Sequence, residues 1–321
     1  SLNDLIQENG ITNPNLIYPG QMLRIPRPII ETNGYLIRLG EAGEQIVRDV
    51  GRYLTYLSIF SYRVQDNGEL RILNDESVLS AAVATNAVPL ITITNIAERG
   101  FSSALAHTIL SNPEIQEKVL ENVLNVMREK GFKGLNIDFE YVLPEDRENY
   151  NQFLRKAADR MHANGYLIST ALAPKVSATQ QGLLYEAHDY PVHGELTDFV
   201  ILMTYEWGWS GGPPLAIAPI HSVRQVLDYA VTAIPRSKIL MGIPLYGRDW
   251  KLPYVQGTSV AETITLTEAI RRAARYGAQI FYNDLYQSPY YHYVDENGVR
   301  HEVWFEDARS YQAKYDTVKE Y

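Results

Sequence analysis

The chain contains no cysteine, which excludes disulfides and thiolate chemistry. No apolar run is long enough to cross a bilayer, so a membrane partner is not expected. No run of basic residues occurs either. With 29 Lys and Arg against 38 Asp and Glu the net charge is −9, a balance that argues against nucleic acid or an anionic membrane surface as partner. Neither G-x-G-x-x-G nor G-x-x-x-x-G-K-[ST] is present, which argues against an open nucleotide-binding sheet. The scattered histidines His188, His193, His292 and His301 show no metal-ligand spacing and read as surface loop residues. The N-terminus, SLNDLIQENG, is polar and is no signal peptide. No oligomerisation signal stands out, so a monomer is expected.

What is present is a regular alternation. At 321 residues and 45% hydrophobic composition, the chain can bury one large core. Short apolar runs read as strands at 35–39, 55–62, 88–95, 134–142, 166–173, 197–205 and 238–246. Several are apolar almost throughout, as parallel strands covered on both faces should be. Helical patterns separate them. The clearest runs from Asn112, a capping residue followed by Pro113, to Gly131, with a stripe of Ile115, Val119, Leu120, Val123, Leu124 and Met127. A second carries Tyr150, Phe153, Leu154, Ala157 and Met161 and stops at Gly165. This pattern predicts an α/β fold with a parallel sheet, a (β/α)8 barrel, of which only seven strands are legible. Residues 249–303 break the rhythm and read as a small α+β insert. Its hairpin YHYVDENGVRHEVWF carries Asn297-Gly298, a type I′ turn signal. Asp295 and Asn297 lack the spacing of a calcium loop.

One strand is unusual. In KGLNIDFE, Leu135, Ile137 and Phe139 alternate with Asn136, Asp138 and Glu140. Side chains of a strand point alternately to two faces, so the three polar residues share one face. In a barrel the apolar set packs under the helices and the polar set points inward, with Glu140 nearest the C-terminal end, where barrel enzymes keep their active sites. Two neighbouring carboxylates do not both ionise cheaply, so one pKa should rise, and a Glu held protonated near neutrality can act as a general acid. Barrel interiors also carry polar layers whose role is mutual hydrogen bonding, and for a single buried Asp that alternative is equally good.

At these residues the sequence resembles the catalytic strand of family 18 glycoside hydrolases, the chitinase family, whose motif is D-x-x-D-x-D-x-E. Asp138 and Glu140 fill the last two positions, while Lys133 and Asn136 stand at the first two. MTYE (203–206) resembles the family's M-x-Y-D, and GIPLYGR (242–248) its seventh-strand segment. The resemblance implies substrate-assisted retaining catalysis, an exception to the two-carboxylate scheme. Glu140 would protonate the leaving oxygen, the substrate's N-acetyl carbonyl would attack the anomeric carbon, Asp138 would hold the acetamido nitrogen, and Tyr205 would bond the acetamido oxygen. No metal or organic cofactor is implied. With Asn136 in place of the second Asp, Asp138 is expected to stay ionised more readily. Glu206, one methylene longer than the family's Asp, contacts substrate less predictably. Trp207, Trp209, Trp250, Trp304, Tyr62, Tyr246 and Tyr254 are candidates for sugar stacking, with core packing as the alternative, and Trp207 leads because it follows Tyr205. Arg248 would pair with an inner carboxylate or a sugar hydroxyl, with an ordinary salt bridge as an equally good alternative.

The two ends extend the resemblance. Residues 1–27, with Asn15 to Pro26 closest to the pattern N-x-[IL]-x-x-G-Q-x-L-x-I-P, resemble the second half of a LysM module, a binder of N-acetylglucosamine polymers. As a half module it is expected neither to fold nor to bind as an intact one does. Residues 28–33 read as a linker and 34–321 as the barrel. LysM joined to GLNIDFE resembles the spore-associated glycosylases of Bacillus-type bacteria. This implies an N-acetylglucosaminidase acting on spore cortex peptidoglycan, located in the spore coat or cortex or in the cell envelope. The alternatives are a chitinase or endo-N-acetylglucosaminidase, and an inactive chitinase-like sugar-binding protein, against which Glu140 speaks. FEDARSYQAKYDTVKEY (305–321) resembles the family's last helix, and the eighth strand is missing.

Overall fold

The computed structural model describes residues 5–6, 9–23 and 30–321. Much of the LysM-like segment, including Arg24 to Pro26, and the first part of the expected linker lie outside the described residues.

Seven parallel strands build the main sheet: β1 (Asn33–Leu36), β2 (Tyr56–Arg63), β3 (Val88–Thr94), β6 (Gly134–Asp138), β7 (Leu167–Leu172), β8 (Phe199–Leu202) and β9 (Ile239–Met241). The intervening β4 (Ile96–Ala97) and β5 (Gly100–Phe101) form a small antiparallel ribbon beyond β3. Neighbours in the sheet follow chain order from β1 to β9, as in a (β/α)8 barrel short of one stave. No eighth strand closes it among the described residues, in line with the sequence reading. Every expected strand is found, though most are shorter than read. The strand expected over 134–142 stops at Asp138, and Tyr141, at φ 54°, lies in a backbone region that ends a strand.

The helices form where the pattern placed them. α4 (Pro113–Lys130) follows α1 (Gly40–Val50), α2 (Glu76–Ala84) and α3 (Ser103–Leu110). The Asn112 side chain accepts hydrogen bonds from the N–H groups of Glu114 and Ile115, and Gly131, at φ 81°, closes the helix by donating to Met127 O. Both ends thus satisfy backbone groups that the helix leaves open. α5 (Arg147–Ala163) buries Tyr150, Phe153, Leu154, Ala157 and Met161. Phe139 stacks on Tyr150 and on Phe153, each with ring centroids 6.0 Å apart. The outward face of the unusual strand is therefore fixed by aromatic packing, which leaves Asn136 and Asp138 facing inward.

A second sheet of five antiparallel strands has the order β11-β10-β14-β13-β12. It comprises β10 (Tyr246–Leu252), β11 (Glu262–Thr265), β12 (Phe281–Asn283), β13 (Ser288–Val294) and β14 (Arg300–Trp304). The hairpin between β13 and β14 is not the expected type I′ turn. Gly298 has positive φ but Asn297 does not. Asp295 N–H donates to Val299 O at 2.9 Å and Gly298 N–H to Asp295 O at 3.0 Å, and the Asp295 carboxylate accepts from the N–H groups of Asn297 and Val299 at 2.9 and 2.8 Å. The longer loop is chosen because the Asp side chain caps it from within.

Three of the four histidines read as surface residues are buried: His188, His193 and His301 are 1%, 0% and 6% exposed. Each finds hydrogen-bond partners that one sequence does not reveal. His292 is the exception, half-exposed beside Glu302.

Candidate active site

The inward face of the sheet carries a polar layer. Thr92, Asn136 and Ser169 stand in register on β3, β6 and β7, all fully buried. Asn136 donates to Ser169 Oγ at 2.9 Å and accepts from Tyr35 Oη at 3.0 Å, so each end of its amide has a structural partner. One step nearer the C-terminal end stands Asp138, in register with Thr94 and 5% exposed. Its Oδ1 has no hydrogen-bond partner among the described residues. Beyond the end of the strand comes Glu140, whose backbone N–H donates to Asn95 Oδ1 at 3.0 Å.

Both carboxyls are held up from the ordinary carboxylate range. Burial pushes Asp138 to about 7. Burial, then the charges of Asp138 and Glu206, push Glu140 to about 8. Asp138 is thus held up even with the neutral Asn136 in place of a second carboxyl below it. Asn136 spends its hydrogen bonds on Tyr35 and Ser169 and gives none to the carboxylate, and desolvation dominates. A Glu protonated at neutral pH beside a second buried carboxyl is equipped to give a proton to a leaving group and take one back from water.

A cavity of about 520 Å³ opens above them, lined by aromatic and apolar groups that include Tyr35, Phe60, Tyr185, Tyr205, Trp207 and Trp209. Tyr205 follows β8, and burial raises its phenol pKa, so it stays a donor. Gly242 makes room for it: a Cβ there would lie 2.8 Å from the Tyr205 ring and 2.4 Å from Leu202 O. Glu206, at φ 70°, turns to the rim, where Arg248 Nη2 donates to its two oxygens at 2.8 and 3.0 Å and the Tyr246 hydroxyl donates to Oε1. Arg248 thus makes a salt bridge with Glu206 at the rim rather than with an inner carboxylate, and Tyr246 serves that pair. Trp209, 55% exposed, rests on Gly211 and Gly212, where any Cβ would come within 2.5 Å of its ring.

Of the stacking candidates, only Trp207 and Trp209 line the cavity. Tyr62 is fully buried on the helix side, its hydroxyl donating to Asp75 at 2.6 Å and its ring edge-on to Phe132. Trp304 lies in β14, stacked on Tyr290 at 4.6 Å and donating to Glu302 at 2.7 Å. Trp250 and Tyr254 also pack in the second sheet, where they donate to Gly212 O at 2.8 Å and Gly211 O at 2.9 Å and so hold the Trp209 loop from behind. Sequence reasoning missed Tyr35, Phe60, Tyr185 and Asn95. Tyr35 had a usable signal, as the inward residue of β1.

The chain belongs to glycosyl hydrolases family 18, whose model matches residues 49–321. The LysM domain model matches residues 1–26, and the two together point to a carbohydrate polymer as partner. Within the family, the chain is 47% identical over 299 residues to the cortical fragment-lytic enzyme of Bacillus subtilis (strain 168), a match that covers 92% of this chain and 69% of that protein. Among solved structures it is similar to the Bacillus cereus spore cortex-lytic enzyme SleL, with TM-score 0.87 and 40% identity over 100% of this chain and 76% of that one. It is also similar to a chitinase from Chromobacterium violaceum ATCC 12472, with TM-score 0.83 and 25% identity over 91% of this chain and 90% of that one. No helix among the described residues is long and apolar enough to cross a membrane.

Proposed function

We propose that the chain is an N-acetylglucosaminidase that hydrolyses β-linked N-acetylglucosamine in spore cortex peptidoglycan with retention, working in the spore coat or cortex or in the cell envelope. The observation that carries this reading is the pair Asp138 and Glu140. They are a buried and a half-buried carboxyl with raised pKa values and, among the described residues, no cationic partner, at the mouth of an aromatic cavity. The substrate preference rests on the likeness to the cortex-lytic enzymes.

In the first step Glu140 gives its proton to the glycosidic oxygen as the C–O bond breaks. The carbonyl oxygen of the substrate's own acetamido group closes on the anomeric carbon, forming an oxazolinium, and Asp138 holds its N–H. Tyr205 donates to the acetamido oxygen and so orients the nucleophile. In the second step the Glu140 carboxylate takes a proton from water, which attacks the anomeric carbon and reopens the ring. Trp207 and Trp209 offer faces to the sugar rings. Glu206, held by Arg248 and Tyr246, supplies negative charge that keeps the Glu140 proton in place.

The test is a parallel digest of purified spore cortex and colloidal chitin by the wild type and Glu140→Gln, read by mass spectrometry. Cortex fragments with N-acetylglucosamine at the new reducing end are expected, with a loss of about 10²-fold or more in the variant. Chitin oligomers alone would make it a chitinase, and bound sugar without product would make it a binding protein.

A further inference from the structure

The peptide joining Phe139 to Glu140 lies past the point where the strands stop supporting β6. Pairing with β3 ends at Thr94–Asp138 and pairing with β7 at Thr170–Ile137. The backbone that carries the catalytic carboxyl therefore needs other partners, because buried peptide groups rarely stay unpaired. Two side chains provide them, one directly after β3 and one from the loop that follows β7. Asn95 accepts from Glu140 N–H at 3.0 Å and donates to Glu140 O at 2.8 Å. On the other side, His188 Nε2 lies 2.9 Å from Phe139 O.

The His188 ring is a bridge, and its chemistry is fixed by its partners. Nδ1 lies 2.8 Å from Ala173 N. That backbone nitrogen is a donor only, so Nδ1 is unprotonated and the ring proton sits on Nε2, aimed at Phe139 O. The imidazole thus ties the end of β7 to the peptide between Asp138 and Glu140. The groups packed around it keep it neutral. The Tyr150 and His193 rings lie 6.1 Å from it, and the buried Lys175 ammonium donates to its carbonyl at 3.1 Å. Burial first, then the Lys175 charge, hold the imidazole down to about 4, against the pull of the Phe139 carbonyl. His188 does not line the cavity, so it touches neither substrate nor the reacting atoms.

We infer that His188 is a positioning residue, a neutral Nε2–H imidazole that fixes the Phe139–Glu140 peptide and thereby the direction from which the Glu140 carboxyl meets the leaving oxygen. The inference rests on Glu140 being the acid. An anchored peptide matters here because a displacement of about 1 Å at a reacting group costs on the order of 10²-fold in rate. Glutamine can keep both contacts, accepting through Oε1 and donating through Nε2; leucine keeps the bulk and loses both.

The experiment compares wild type, His188→Leu, His188→Gln and Glu140→Gln in the full chain, on purified cortical fragments, well below each melting midpoint. His188→Leu should lose about 10²-fold in kcat with KM little changed. Its alkaline limb should move to lower pH as the freed carboxyl reaches water. His188→Gln should recover at least about tenfold of that loss. Equal kcat in the Leu and Gln variants, or a Leu variant within about threefold of wild type, would overturn the inference. Should the Leu variant fail to fold, nitrogen NMR of the unmutated protein still decides. It should show His188 neutral with the proton on Nε2 from about pH 5 to about pH 8, and a proton on Nδ1 or a cationic ring would overturn it. Retained turnover in Glu140→Gln would sink the acid assignment alone and leave the NMR result standing.

Discussion

Two aspartates of this molecule are equally buried and opposite in kind. Asp249, on β10, is 3% exposed and Asp138, on β6, is 5% exposed. Asp249 accepts from Arg272 at 2.6 Å and from Tyr293 Oη at 2.7 Å, and lies 2.7 Å from His301 Nδ1. Its charge is surrounded by donors, as a buried ion pair requires. Among the described residues Asp138 faces no cation and has an oxygen with no partner. The first arrangement holds the second sheet together. The second costs stability, and a buried carboxyl left in that state is the mark of a site built for chemistry. The difference separates a structural network from a working one within a single chain, without reference to any relative.

The largest contrast should come from stability. Asp249→Ala leaves Arg272, His301 and Tyr293 without their common acceptor, and should lower the unfolding free energy by about 3 kcal/mol, read from the urea midpoint. Asp138→Asn should act in the other direction at high pH. A carboxyl whose native pKa is raised contributes stability that is fully present below its unfolded value of about 4 and is lost as the pH climbs, here through about 7. At pH 8 the Asn variant should therefore melt above the wild type by at least about 1 kcal/mol, while near pH 4 the two should coincide and turnover should be lost at both. An Asn variant that is less stable than wild type at pH 8 would erase the distinction between the two aspartates.

The smallest effect is also the sharpest. Asn136→Asp places another carboxyl below Asp138, bonded to Tyr35 and Ser169. Its charge should push the Asp138–Glu140 pair further up and carry the alkaline limb of the pH–rate profile higher by about half a unit to one unit. An unchanged profile would mean that the inner layer is electrically silent.

Much of this was legible in the residues. The seven strands and the capped helix after Asn112 follow from apolar periodicity and end signals, which are local. The inward placement of Asn136 and Asp138 follows from alternation alone. Long-range partnership was not legible. Tyr62 is aromatic like Trp207, but only the fold shows that it hides behind the sheet on Asp75. His188 and His193 look like loop histidines because nothing local marks the carbonyl, amide and hydroxyl groups that bury them. The end of β6 at Asp138 was missed for a related reason. Phe139 and Glu140 continue the alternation, yet Asn95 and His188 replace the strand neighbours, and neither is close in sequence.

The pH dependence of kcat on purified cortical fragments, measured across the neutral range, tests the central claim most directly. If Glu140 works as an acid kept protonated by its surroundings, activity should persist through neutrality and fall as the pH rises through about 8. A fall near the ordinary carboxylate pKa of about 4 to 5 would mean that the site does not hold the Glu140 proton, and would contradict the account.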